Sequence, residues 1–166
     1  MSNTFREQTD EKAARARLEE LGTARSTDAV AERAELLRVL GRLDEALATA
    51  EESYRLAFFT GDREMVTEAR LRRARVLHDQ GSLERAITEV KACRQSARTE
   101  GWGELESTAL FQQASLSVDL GRLEDAKTAL VELIELRTAQ RAPHEQLQSL
   151  NSALEYIERG AIAERD

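Results

Sequence analysis

Proline occurs once, cysteine once and lysine three times among the 166 residues, and aromatic side chains make up 4% of the chain. A single cysteine, Cys93, excludes an internal disulfide and any multi-cysteine metal site, and it points to a reducing, cytoplasmic location. The near absence of proline, with 33% charged and 41% hydrophobic residues, favours soluble α-helices over sheet or disorder. So few aromatics leave the core to leucine and alanine. No apolar window approaches the roughly 18 residues of a membrane span, and no basic segment followed by an apolar run opens the chain, so neither a membrane span nor a secretory leader is expected. The two histidines, His78 and His144, come without an HExxH or paired-cysteine spacing, so no metal or cofactor is expected. No nucleophile motif is present, and no glycine-rich phosphate loop follows a strand because no strand is expected, so the chain does not read as an enzyme. A formal net charge of −7 argues against nucleic acid, a polyanion, as the partner.

What is present is a recurrence. "GRLDEAL" begins at Gly41, "GSLERAI" at Gly81 and "GRLEDAK" at Gly121, at an interval of 40 residues. The shift aligns small residues where helices would cross closely, Ala34 with Ala74 and Ala114, and Ala46 with Ala86 and Ala126. It also aligns Leu43, Leu83 and Leu123. Gly22, Gly61 and Gly101 recur half a period away, so each interval is one helix and a turn.

This spacing predicts one domain, 1–166, of about eight helices: a capping helix over 4–21 with Phe5 on its apolar side, helix pairs over 24–60, 61–100 and 101–141, and a final helix over 143–160. Ser26, Thr27 or Asp28, then Asp62, then Ser82 are the candidate N-caps, because a side-chain oxygen there can accept from the first unpaired amides. Pro143 suits a first helical position, where no amide partner is needed, and Gly160 is expected to close the last helix. Leu150, Leu154 and Ile157 stand in register with Leu110, Ala114 and Ser117, which makes that helix the first half of an uncompleted fourth repeat.

The small residue in each first helix, the glycine turn, the apolar residue two beyond it and the alanine five beyond it resemble the tetratricopeptide repeat family, over about residues 24–159. The family's usual repeat is about 34 residues. The longer period is similar to the extended versions in bacterial regulatory and scaffold proteins and in kinesin light chains. The chain departs from the pattern at Arg70 and Ser117, where large apolar residues are usual. The resemblance implies a right-handed all-α solenoid of antiparallel helix pairs whose first helices line a concave groove that receives a peptide or partner helix.

Transferred onto this sequence, the groove positions include Glu35, Arg38, Leu71, Arg72, Arg75, His78, Phe111 and Val118. One reading makes Arg38, Arg72, Arg75 and His78 a basic entrance for a carboxylate and Phe111 a hydrophobic anchor. The other makes the arginines a solvated face balanced by Glu32, Glu35, Glu68 and Asp79. Cys93 reads as a buried, inert thiol. Trp102 reads as the most exposed large residue, either plugging the space between two pairs or contacting a partner. The expected function is protein or peptide binding, as an adaptor or regulatory subunit. The alternatives are a homodimerising scaffold, with Leu147 on the outer face of the last helix, and regulation by a small ligand or signalling peptide.

Overall fold

The structure, a computed structural model, describes residues 10–163, with side chains as far as residue 160. Those residues form eight helices and no strand: α1 (Glu11–Leu21), α2 (Thr27–Val39), α3 (Leu43–Thr60), α4 (Arg63–Asp79), α5 (Leu83–Glu100), α6 (Gly103–Asp119), α7 (Leu123–Ala139) and α8 (His144–Ala163). They divide into two compact units, 10–89 and 90–163, with the division inside α5. In the first unit α1 packs on α2, α2 on α3, and α4 on both α2 and α3; in the second α7 packs on α6 and α8. Packing of consecutive helices in this way is that of a helical repeat solenoid.

Local chemistry sets the helix limits. Asp10 is extended, and its carboxylate accepts from the amides of Lys12 and Ala13, both at 3.1 Å. This N-cap starts α1 at Glu11, later than the expected residue 4; Thr4 and Phe5 lie outside the described residues. Ser26 caps α2 by accepting from the Ala29 amide at 3.2 Å, and Asp62 caps α4 by accepting from Glu64 at 2.9 Å and Met65 at 3.1 Å. Pro143 stands just before α8, where its carbonyl accepts from the Gln146 amide at 3.0 Å.

The turn inside each pair is built the same way three times. Gly41 adopts a φ of 73° and its amide donates to the Arg38 carbonyl at 2.9 Å, while the Arg42 amide reaches back to Leu37 at 2.9 Å. Gly81 with Ser82, and Gly121 with Arg122, repeat both bonds. A left-handed residue here satisfies carbonyls that the helix leaves open, and glycine reaches that conformation without Cβ strain. After α7 the same turn falls on Arg141, the one non-glycine with positive φ (57°) among the described residues, and Ala142 completes it by donating to Arg137 at 2.9 Å.

At the end of α8 the expectation fails. Gly160 remains helical and α8 runs to Ala163. The left-handed stop of the three pairs lies at Gly41, Gly81 and Gly121, and the next position in that series is Ala161. Gly160 is one residue out of step with it.

The aligned alanines are where the pattern puts them: Ala34, Ala74, Ala114, Ala46, Ala86 and Ala126 have no exposed surface. In the first unit Ala34, Leu37, Ala46, Ala50 and Val76 form one cluster, flanked by Leu18 and Leu47. In the second, Leu110, Ala114, Ala126, Ala129, Leu130, Leu133, Ala153 and Ile157 form another, with Leu150 and Leu154 against it. Turning this apolar face of α8 inward leaves Tyr156 outside at 66% exposure, although its aligned positions, Val76 and Leu116, are buried.

Polar side chains reinforce both units. In the first, Arg73 on α4 donates to Glu89 on α5 at 2.9, 3.0 and 3.2 Å, and its guanidinium lies 4.6 Å from the centre of the Tyr54 ring. In the second, Arg137 near the end of α7 donates to Glu104 on α6 at 2.9 Å, to Gln140 at 3.0 Å and to Gln146 on α8 at 3.3 Å. Gly103 lies beside this hub, where an added Cβ would stand 2.7 Å from the Gln140 amide nitrogen and make that flexible side chain shift. Arg94 on α5 is paired with Glu132 on α7.

Candidate functional site

Three of the eight residues assigned to a binding face meet in one place. On α2, Glu35 and Arg38 are one helical turn apart, and Arg38 donates to the Glu35 carboxylate at 2.6 and 3.2 Å. The other edge of the Arg38 guanidinium donates to Asp79 at the end of α4, at 2.8 Å. Arg75 on α4 lies 3.4 Å from the same Glu35 oxygen. The cluster therefore ties the first helices of successive pairs together. Its depth is uneven: the Arg38 side chain is 9% exposed, whereas Glu35 and Arg75 are 33% and 32% exposed.

The other assigned residues of this unit are arranged differently. Leu71, which the resemblance placed on the groove, is 2% exposed and belongs to the core, so it offers no binding surface. Arg72 turns toward α3, donating to the Ser53 hydroxyl at 3.2 Å and to Glu68 at 3.2 Å. His78 is half-buried on α4. Of the carboxylates expected to balance the arginines, Glu35, Glu68 and Asp79 do so, while Glu32 pairs with Arg17 of α1 at 2.6 and 3.0 Å.

Phe111 and Val118 stand on α6, in the second unit. Phe111 is 37% exposed, and Val118 packs partly against the core of that unit. Near them α6 buries Gln112, Gln113 and Ser117, and the side-chain oxygens of all three have no protein partner. Ser117 occupies the position of Leu37 and Leu77, and Gln113 that of Arg73, so the third pair carries polar atoms where the others carry an apolar or a paired group.

Shifted ionisation lies outside this face. Hydrogen bonds from Arg17, then its charge, hold the Glu32 carboxyl below the ordinary carboxylate range, and Arg42 does the same to Glu45. Both partner guanidiniums are held more firmly protonated in return.

Among the described residues the most exposed large apolar side chains are Phe59 at 85%, Tyr156 at 66% and Phe58 at 63%, whereas Trp102 is half-buried, contrary to expectation. Trp102 is held by its backbone in the turn before α6, where its amide donates to Ala97 at 2.9 Å. Sequence reasoning missed Phe58 and Phe59, yet a signal was there. Their aligned positions hold Arg98 and Thr99, then Thr138 and Ala139, so the repeat asks for no large apolar residue at that point.

Cys93 is fully buried. Among the described residues no group of three or more His, Cys, Asp or Glu side chains is placed to hold a metal ion, and no helix is long and apolar enough to cross a membrane.

Residues 107–140 match the family described as Tetratricopeptide repeat. The matched span begins in α6 and ends at Gln140, the residue that closes α7, so it covers most of one helix pair. No curated protein matches the sequence.

Proposed function

We propose a protein-binding module that takes a peptide segment or partner helix on the first helices of its pairs, because residues 107–140 match the tetratricopeptide repeat family, whose repeats generally mediate protein–protein interactions. In this reading it acts in the cytoplasm as an adaptor or regulatory subunit. One observation supports it most: Glu35, Arg38, Arg75 and Asp79 converge on α2 and α4, and the Glu35–Arg75 edge of that cluster stays open to solvent. Arg38 is nearly buried, whereas Glu35 and Arg75 are about one-third exposed, and that exposure is what supports contact with another molecule. Phe111, exposed on α6, adds an apolar contact in the second unit.

The test is capture of a cellular partner by the full chain and by the Arg38→Glu/Arg75→Glu variant, with circular dichroism to check the fold. Loss of one partner from the variant supports this reading. Retention of every partner by a folded variant ends it. Exposure of Tyr156 on α8, with Leu147 half-buried on the same helix, favours a second reading, homodimerisation through α8. Light scattering over a concentration series decides it: a dimer that Leu147→Glu disperses supports assembly, and a monomer throughout refutes it.

A further inference from the structure

The outer face of α3 carries groups that the repeat does not ask for. Ala48, Glu52, Arg55 and Phe59 are exposed and follow one another at three or four residues, so they form one stripe along the helix, with Phe58 beside it. Glu52 and Arg55 make no hydrogen bond or ion pair among the described residues. Elsewhere in the chain the same spacing closes, Arg38 onto Glu35 and Arg42 onto Glu45, both at 2.6 Å. Beyond Arg55, Phe58 is 63% and Phe59 85% exposed, and Phe58 rests against Tyr54 with ring centres 6.4 Å apart. The other second helices lack this stripe: the positions of Glu52, Arg55 and Phe59 hold Ala92, Gln95 and Thr99 on α5, and Glu132, Glu135 and Ala139 on α7.

We propose that α3 docks antiparallel on α3 of a second copy of this chain. A two-fold axis at the level of Ser53 and Tyr54 sets Arg55 against the partner's Glu52, and Glu52 against the partner's Arg55. The same register lays Phe59 over the partner's Ala48, whose small side chain leaves room for a ring. Further out, Glu45 brings its own counter-charge, Arg42. A two-fold contact must be self-complementary, because both copies present the same patch. One open charge of each sign, with a ring at one end and a small residue at the other, meets that condition. Charge complementarity thus names the occupant. A wholly acidic partner would meet Glu52, a wholly basic one would meet Arg55, and an anionic lipid surface would meet Glu52 in the middle of the stripe. The two rings of each copy present roughly 300 Å², against about 800 Å² per partner in a stable interface. The flanks of α3 supply the rest, and the dimer is a weak one that forms at high protein concentration. This surface is separate from the α2–α4 face and from the α8 contact, so it stands or falls independently of both.

Sedimentation velocity of the full chain in about 0.1 M salt, from about 10 µM to about 1 mM, should show monomer passing into dimer. Phe59→Ser should weaken the dimer about a hundredfold, since a ring leaves each side of the contact. Arg55→Glu, which sets like charges against each other twice, should weaken it about tenfold. The exchange Glu52→Arg/Arg55→Glu should restore it to within about twofold, as reciprocal pairing requires. Leu147→Glu should leave this dimer intact, and circular dichroism checks the fold of every variant. A monomer throughout that range, a dimer indifferent to Phe59→Ser, a charge exchange no better than Arg55→Glu alone, or a dimer dispersed by Leu147→Glu each overturns the proposal.

Discussion

Replacing Glu89 by alanine should destabilise the chain far more than replacing both members of its ion pair by apolar residues. The Arg73 and Glu89 side chains are 15% and 14% exposed, so both charges have lost most of their hydration. Three hydrogen bonds and the face of Tyr54 compensate Arg73 in the folded state. Removing one partner of a buried pair costs about 3–5 kcal/mol, because the other is left uncompensated. The residual exposure lets water reach the guanidinium, which places Glu89→Ala at the lower end, about 3 kcal/mol. Arg73→Met/Glu89→Leu removes both desolvation penalties along with the pair, and loses a cation–π contact of about 0.5–1 kcal/mol, so it should stay within about 1 kcal/mol of the starting stability. The aligned positions in the next pair, Gln113 and Ala129, carry no charge, so the repeat does not depend on an ion pair at this place. Urea denaturation followed by circular dichroism measures both, provided the slope of the transition is unchanged. A single variant costing under about 1 kcal/mol, or a double variant as unstable as the single, would refute the reasoning.

Arg141→Gly should stabilise by about 0.5 kcal/mol, the left-handed strain of roughly 1 kcal/mol being partly offset by the greater freedom of glycine in the unfolded chain; a lower urea midpoint would contradict this. Ala74→Leu should cost about 1–3 kcal/mol or more, because a residue with no exposed surface cannot accept three further carbons without displacing its neighbours, and a neutral result in the same assay would show slack in that packing. Glu32 titrates below its ordinary value of about 4.3 because Arg17 binds its charged form, so the pair contributes stability that is present above that value and is lost as pH falls through the lowered one. The melting-temperature difference between the unaltered chain and Arg17→Gln should therefore be present at neutral pH and close on acidification; a difference independent of pH would assign it to packing.

The helices and the buried alanines were legible because a fixed interval makes one close helix crossing recur, and only a small residue survives there. Caps were legible for a similar reason: Ser26 and Asp62 are local solutions to a local shortage of acceptors. The binding face was legible only in part. The family resemblance put Glu35, Arg38 and Arg75 on the binding face, but their pairing depends on which way long flexible side chains reach, and Arg72 reached toward Ser53 instead. Leu71 was misplaced because a transferred groove position does not tell which way its side chain turns, and the apolar Leu71 turned into the core while the aligned Phe111 stayed 37% exposed. Gly160 was misread because a glycine stops a helix by its place in the turn, and the place here belongs to Ala161. Trp102 and the two phenylalanines were misjudged alike, since exposure depends on what a neighbouring segment covers.

The six aligned alanines bear on how this chain is held in one state. Burial of an alanine freezes no rotamer, whereas burial of leucine or methionine sacrifices side-chain freedom worth about 0.5–2 kcal/mol. With Ala34, Ala46, Ala74, Ala86, Ala114 and Ala126 fully enclosed, the helix crossings order themselves almost without that loss. They also have no alternative side-chain arrangements to visit. Disorder on heating should therefore spread from the long, charged side chains and the helix ends, while the crossings keep a single geometry until the helices themselves separate.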